Sequence, residues 1–279
     1  MSSIKKIIDE GTESIVTLVQ LDNGTSVIRK TRQPQGVTDY MFEAFAYTSV
    51  GRRGSNVPSV IDASEESLTM SMLAGKTLDD QPNLYNDTKI FDDIAKDLSI
   101  NRKVVFKGYG RPTLEEGVYI GEYASWSDFL NNTYSKLDHS SLLPETLKKL
   151  LKSKWNEMVS HIKLEKGALV HGDFAMSAIF VNKNKYEGII DYGDAFIGDP
   201  LLDLAYFRFK EINKEYGYKI YDLLANSYSR HSGVDREYID TATLFNMMYW
   251  AVERVHTENL ESEIIGKFIE KTRVLAQLL

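Results

Sequence analysis

The chain has 279 residues, of which 43% are hydrophobic and 26% charged, with a net charge of −7 and a pI of about 5.4. This composition is typical of a globular protein with one or two domains. The absence of cysteine excludes disulfides and thiolate nucleophiles, and the acidic balance argues against nucleic acid as the main partner. No apolar run reaches the ~20 residues of a membrane span, and the N-terminus lacks a signal-peptide core, so we expect a soluble cytoplasmic protein.

The first 75 residues predict a small β-sheet around one helix. Residues 4–8, 14–21 and 25–30 are rich in β-branched side chains, and the Asp-Asn-Gly sequence at 22–24 is typical of a hairpin turn. Residues 38–50 predict a helix capped by Thr38 or Asp39. Residues 57–73 predict two further strands joined by a turn.

The rest of the chain is predicted to be mostly helical. Apolar stripes at helical spacing run through residues 144–162 and 241–256, and two short strand-like segments lie between them, at 168–171 and 179–191. Residues 80–140 give no clear pattern beyond loops and a short strand. The change in composition predicts a boundary near residue 75, which separates a nucleotide-binding lobe (1–75) from a helical lobe (76–279) that carries the catalytic loop and the acceptor site. Ligands favour clefts of this kind.

Two aspartates each follow an apolar strand. Asp173 comes after "ALVHG" and Asp191 after "GII", and a hairpin-like segment joins them, so both can point into one cavity. Two carboxylates at neighbouring strand ends suit phosphoryl transfer, in which one aligns and deprotonates a hydroxyl and the other holds Mg²⁺ on the nucleotide phosphates. Asp is also common in turns, so spacing alone leaves a structural role equally open.

Three linked motifs favour the catalytic interpretation. "HGDFAMSA" at 171–178, "IIDYGDA" at 189–195 and "GDPLLDLAYF" at 198–207 together resemble the aminoglycoside phosphotransferase and choline kinase family, most closely its hygromycin-type members. The resemblance implies an α+β, bilobal protein-kinase-like fold with a small antiparallel-sheet N-lobe and a larger helical C-lobe. It also implies that Asp173 is catalytic, that Asp191 binds Mg²⁺, and that His171 and Asp203 support the catalytic loop.

The same resemblance implies how ATP or GTP would bind. A base on the third strand, Lys30 or Arg29, would contact the phosphates and pair with Glu43. Side chains alternate along a strand, so Arg29 and Lys30 lie on opposite faces and only one can face the cleft. Lys30 is slightly preferred. The alternative for either residue is a solvent-exposed charge at the end of the strand. The backbone of Ser71 and Met72 would bind the adenine, although a plain buried strand explains this segment equally well. The single-glycine segment 11–14 resembles a loop over the phosphates.

One position departs from the family pattern. Five residues after Asp173 the family has an Asn that helps to hold the metal, and this chain has Ala178, which lacks a side-chain ligand. Three explanations remain open: Ser177, Asp191 or water replaces the ligand, the chain binds nucleotide without transferring phosphate, or the residue is an engineered change.

The acceptor is expected to be a small polar molecule. Asp194 and Glu253, with Tyr249 and Trp250, are candidates for binding a cationic aminoglycoside or aminocyclitol, because carboxylates and aromatic faces attract cations. Burial in a helix core is the favoured alternative for Tyr249 and Trp250. The sequence therefore predicts a small-molecule kinase of the antibiotic-resistance type. A silent nucleotide-binding pseudokinase and a metabolite kinase for choline, homoserine or a thiosugar are the alternatives. Gly-x-Ser-x-Gly and Gly-x-Gly-x-x-Gly motifs are absent, which argues against a serine hydrolase and a Rossmann site.

Overall fold

A computed structural model describes residues 3–11, 13–139, 142–161, 164, 166–255 and 262–279. Its strands are, in chain order, β1 (Ser3–Glu10), β2 (Ser14–Gln20), β3 (Ser26–Arg32), β4 (Val60–Ala63), β5 (Ser67–Ser71), β6 (Lys76–Thr77), β7 (Val105–Phe106), β8 (Tyr109–Glu115), β9 (Val118–Tyr123), β10 (Gly167–Val170), β11 (Ile179–Asn182), β12 (Lys185–Ile189) and β13 (Phe196–Gly198). Its α-helices are α1 (Tyr40–Gly51), α2 (Thr88–Asn101), α3 (Trp126–His139), α4 (Glu145–His161), α5 (Leu201–Glu211), α6 (Gly217–Ser232), α7 (Arg236–Val255) and α8 (Ser262–Leu278).

The chain forms two compact units, and their boundaries do not coincide with a single division of the chain at residue 75. The first contains residues 1–84 and 171–195, and the second contains residues 85–170 and 196–279. The segment around the His-Gly-Asp motif belongs to the first unit because β11 pairs with β6 as well as with β12. The predicted lobe boundary at residue 75 stays a prediction. In the structure, residues 171–195 belong to the same compact unit as the N-terminal sheet.

The first unit contains an antiparallel sheet with strand order β1-β2-β3-β5-β4. The predicted Asn-Gly turn joins β2 to β3, where Gly24 has a φ of 81° and the Asn23 side chain accepts a hydrogen bond from the Thr25 N–H. Of the two predicted caps, Thr38 and Asp39, it is Asp39 that caps α1, since its carboxylate accepts a hydrogen bond from the Phe42 N–H at 3.0 Å. This cap fixes where α1 begins and therefore which of its residues face the sheet.

The second unit is mainly helical and carries a sheet with strand order β7-β10-β13-β8-β9. Helix α5 lies in its core: Leu202, Leu204, Ala205 and Phe207 are fully buried. Within residues 80–140, where the sequence predicts loops and a short strand, the structure forms the β8–β9 hairpin. Among the described residues, none of the helices combines the length and apolar character needed to cross a bilayer.

Candidate active site

Strand β3 directs Lys30, rather than Arg29, towards the predicted site residues. The Lys30 ammonium lies 2.6 Å from Glu43 Oε1 and 2.6 Å from Asp191 Oδ1, and the residue is only 9% exposed. Arg29 lies on the opposite face of β3, where its Nε donates a hydrogen bond to Thr69 Oγ1 at 3.1 Å. Lys30 is therefore the base that joins the two carboxylates.

Glu43 holds Lys30 from helix α1. Its side chain is fully buried, and burial raises the pKa of its carboxyl against the opposing charge of Lys30. Burial also opposes the charge of Lys30, but the carboxylates of Glu43 and Asp191 outweigh it and hold the Lys30 pKa well above its usual range. The pair is thus an ion pair largely removed from water, in which each charge depends on the other.

Asp191 follows β12 in a left-handed conformation that non-glycine residues seldom adopt. Its φ and ψ are 72° and 61°, and its backbone N–H donates a hydrogen bond to the Tyr47 hydroxyl at 2.6 Å. The charge of Lys30 lowers the pKa of the Asp191 carboxyl more than burial raises it. Because the side chain is 53% exposed, this ionised carboxylate is both paired with Lys30 and open to solvent.

The His-Gly-Asp segment is fixed by its histidine and its glycine. His171 is fully buried; its Nε2 donates to the Ile190 carbonyl at 2.8 Å, while its Nδ1 accepts the Asp173 N–H at 3.3 Å. These two bonds link the Asp173 backbone to Ile190, the residue before Asp191. Gly172 has a φ of 87°, and a Cβ there would lie 2.0 Å from the Asp194 carbonyl oxygen. Only glycine fits this turn, which leaves Asp173 half-buried.

Ala178 lies in a short 3₁₀ helix, Met176–Ala178, directly before β11. Its carbonyl accepts the Ile190 N–H at 2.9 Å and its own N–H donates to the Ala175 carbonyl, so its backbone lies beside the residue that joins β12 to Asp191. Ala178 is 4% exposed, whereas Ser177 is exposed. The Ala178 backbone therefore contacts Ile190, the residue before Asp191, and its side chain offers no oxygen; a place in a metal site stays a prediction.

Ser71 is the last residue of β5, and Met72 follows it. The Ser71 N–H donates to the Ser59 carbonyl at 2.9 Å, and the Ser71 hydroxyl accepts the Ser59 N–H at 2.8 Å. The Ser71 N–H is thus engaged within the sheet, whereas the Met72 side chain is 49% exposed. An adenine contact at these two residues stays a prediction. Thr12, in the predicted phosphate loop, lies outside the described residues.

Of the predicted acceptor residues, Asp194 belongs to the first unit and is exposed in the short 3₁₀ helix Tyr192–Asp194. Glu253 lies in the second unit, where it accepts hydrogen bonds from the Lys136 ammonium, at 2.7 Å to each carboxylate oxygen, and from Thr133 at 2.7 Å. Lys136 therefore neutralises the charge that would attract a cationic acceptor. Neither Lys136 nor Thr133 was expected from sequence, because no pattern marks a partner 117 residues away.

The aromatic candidates are part of a packed core. Trp250 is 4% exposed and donates its indole N–H to the Leu202 carbonyl at 2.8 Å; Tyr249 is 6% exposed and its ring packs against Phe129 and Phe196. This burial favours the core alternative for both residues. Asp203 is also fully buried in the second unit, and one of its carboxylate oxygens lies 3.4 Å from Asn101 Nδ2.

The residues of the first unit partly fit a magnesium ion. Mg²⁺ on a nucleotide needs one or two protein carboxylates, with phosphates and water as its other ligands. Asp191 supplies one ionised, half-exposed carboxylate, but Ala178 supplies nothing. Among the described residues, no cluster of three His, Asp or Glu side chains is arranged to hold a metal by itself. The site therefore suits a metal that arrives with phosphate oxygens.

The first unit thus contains a lysine–glutamate pair on β3 and α1, an aspartate that follows β12 and a His-Gly-Asp turn. The model of the phosphotransferase enzyme family matches residues 6–238, which is most of the chain. The chain belongs to this family, which confirms the predicted kinase-like α+β class with its antiparallel N-terminal sheet and helical C-terminal region. No curated protein matches it by sequence.

Solved structures share this fold at low sequence identity. A ternary complex of a thermostable mutant of aminoglycoside phosphotransferase APH(4)-Ia with AMP-PNP and hygromycin B is 16% identical, with a TM-score of 0.74, over 99% of this chain and 94% of that one. A putative fructosamine-3-kinase from Thermobifida fusca YX-ER1 is 13% identical, with a TM-score of 0.69, over 98% and 94%. ADP-bound APH(2'')-Ib is 16% identical, with a TM-score of 0.63, over 99% and 94%.

Proposed function

We propose that the protein transfers the γ-phosphate of ATP or GTP to a hydroxyl of a small polar molecule, with an aminoglycoside or aminocyclitol as the first candidate acceptor. The observation that carries the proposal is the position of Lys30, whose ammonium lies 2.6 Å from both Glu43 and Asp191. Nucleotide complexes of structures with the same fold support the choice of donor.

Each residue of the site has a distinct role in this proposal. Lys30 binds phosphate oxygens, and Glu43 keeps it in place. Asp173, held by the bond from its N–H to His171, orients the acceptor hydroxyl and accepts its proton. Asp191 would hold Mg²⁺, which neutralises phosphate charge when it is bound. Positioning and charge neutralisation account for most of the rate in such reactions, because phosphoryl transfer needs little covalent chemistry from the protein.

Two observations support other functions for the same site. Ala178 removes a metal ligand, which favours a pseudokinase that binds nucleotide without turnover. The bidentate contact of Lys136 with Glu253 favours an acceptor with fewer positive charges than an aminoglycoside, and hence a metabolite kinase. Both alternatives keep the nucleotide site and differ only in the step after nucleotide binding.

The test is a nucleotide-turnover assay with ATP and with GTP. Acceptors are hygromycin B, streptomycin, a fructosamine, choline, homoserine and a thiosugar. The wild-type chain is compared with Ala178→Asn and Asp173→Asn. If the proposal is correct, an aminoglycoside is phosphorylated, and Asp173→Asn lowers kcat by about 10²- to 10⁴-fold, the usual contribution of a general base.

The other outcomes separate the alternatives. Turnover with a metabolite alone identifies a metabolite kinase. Turnover only in Ala178→Asn identifies a site whose metal ligand has been lost. Nucleotide binding without turnover in both the wild type and Ala178→Asn supports the pseudokinase. Absence of nucleotide binding in all three chains overturns the assignment of the site.

A further inference from the structure

The Tyr47 hydroxyl contacts the proposed metal-binding aspartate through its backbone rather than through its carboxylate. The Asp191 N–H donates to this hydroxyl at 2.6 Å. Tyr47 is 1% exposed and lies within helix α1, so the hydroxyl is held in one place away from water. A short hydrogen bond from a buried partner is costly to lose, because the N–H is then left without an acceptor.

The position of Tyr47 in helix α1 connects this contact to the rest of the site. Tyr47 follows Glu43 by four residues, which places the two side chains on one face of the helix. Glu43 holds Lys30, and Lys30 holds the Asp191 carboxylate. Helix α1 therefore holds Asp191 at two points, through its carboxylate and through its backbone.

Two further observations indicate that the turn at Asp191 depends on this contact. Asp191 has a φ of 72°, a conformation that Asp adopts more often than most residues but that still costs free energy, so the contacts around the turn help to hold it. The Tyr47 ring contacts the ring of Tyr192, the next residue, edge-on at 5.2 Å between centroids, so the ring cannot move away from the turn without losing this packing.

We propose that Tyr47 is a positioning residue, whose hydroxyl holds the backbone of Asp191 and so keeps the Asp191 carboxylate aimed at the metal–nucleotide complex. This inference rests on the proposed function for what Asp191 binds, but the hydrogen bond can be tested without it. The residue touches neither nucleotide nor acceptor in this proposal, and it acts only through Asp191.

The first experiment measures the hydrogen bond in the ligand-free chain. Tyr47→Phe keeps the ring and removes the hydroxyl. We expect amide hydrogen exchange at Asp191, followed by NMR, to become at least about tenfold faster, because the N–H loses a buried acceptor. Tyr221→Phe is the matched control: Tyr221 is equally buried and donates to Asp240 at 2.7 Å in the other unit, so its loss leaves exchange at Asp191 unchanged.

The second experiment measures function through binding. ADP affinity is measured by calorimetry with and without Mg²⁺. In the wild type and in Tyr221→Phe, Mg²⁺ is expected to increase the affinity for ADP. In Tyr47→Phe we expect this increase in affinity to be about tenfold smaller, while the affinity for ADP without Mg²⁺ is unchanged. A role in folding alone would not change the metal-dependent part.

The outcomes separate this inference from the proposed function. Unchanged Asp191 exchange in Tyr47→Phe overturns the inference, whatever the chain binds. Faster exchange with an unchanged effect of Mg²⁺ also overturns it, since the backbone contact then does not position the carboxylate. A wild-type chain that binds no nucleotide overturns the proposed function and this role of Tyr47 with it, while the exchange result still reports on the contact itself.

Discussion

Replacement of Lys30 by Met tests whether the buried ion pair supports the first unit. The substitution leaves the Glu43 carboxylate buried and without its cation, and removal of one partner from such a pair costs about 3–5 kcal/mol of unfolding free energy. Arg29→Met is the matched control, because the neighbouring base makes one hydrogen bond to Thr69 and its loss should cost about 1 kcal/mol. Urea unfolding followed by circular dichroism measures both values.

The pH dependence of the Lys30→Met variant adds a second check. Burial raises the pKa of Glu43 above its unfolded value, and without Lys30 the opposing charge is gone. The folded state then holds a proton that the unfolded state releases, so stability falls as pH rises through the interval between the two pKa values. We expect a larger loss at pH 8 than at pH 5, and a large recovery when Glu43→Gln is added. Equal losses in the Lys30 and Arg29 variants, or a loss independent of pH, would refute the reasoning.

Three further predictions concern single residues. Gly172→Ala should lower the unfolding free energy by more than about 2 kcal/mol, because the new Cβ would clash with the Asp194 carbonyl. The control Gly24→Ala has a similar φ but no neighbour within 4 Å, so it should cost only the ~1 kcal/mol of a left-handed backbone. Equal losses in urea titrations would contradict this prediction. Burial and neighbouring lysines lower the pKa of Lys271 to about 8 from 10.5, so stability should rise with pH between these values; the same rise in Lys271→Met would rule this out. Trp250→Phe should cost about 1–3 kcal/mol in the same titrations through its lost hydrogen bond, and a neutral result would argue against a core role.

Local signals made the first unit predictable. The Asn-Gly turn, the Asp39 cap and the linked motifs are each complete within a few residues, so sequence alone located β2, β3, α1 and the two candidate aspartates. The choice between Lys30 and Arg29 could not be made in this way. The choice depends on which face of strand β3 is covered by helix α1. The deciding contact joins Lys30 to Glu43, which are 13 positions apart.

The β8–β9 hairpin was predicted only as loops and a short strand, because its turn residues are atypical. The β8–β9 hairpin turns at Glu116 and Gly117, which have φ values of 49° and 82°, and Glu is an uncommon residue in that conformation. The Tyr47 contact was missed for a different reason, since it joins residues 144 positions apart. Its one local signal was the spacing of four residues from Glu43, which places both side chains on the same helix face.

The charges at the site explain why Asp191 and its supports carry so much of the proposed function. Lys30, Glu43 and Asp191 together hold one net negative charge when all are ionised, so they would repel a polyphosphate unless a cation accompanies it. In the proposed function Asp191 is the residue that would bind that cation, since Ala178 supplies no side-chain ligand. Both of its anchors, Lys30 through Glu43 and the Tyr47 hydroxyl, depend on α1. Under the proposed function, the position of this one helix therefore controls how Asp191 is presented to a metal-loaded nucleotide.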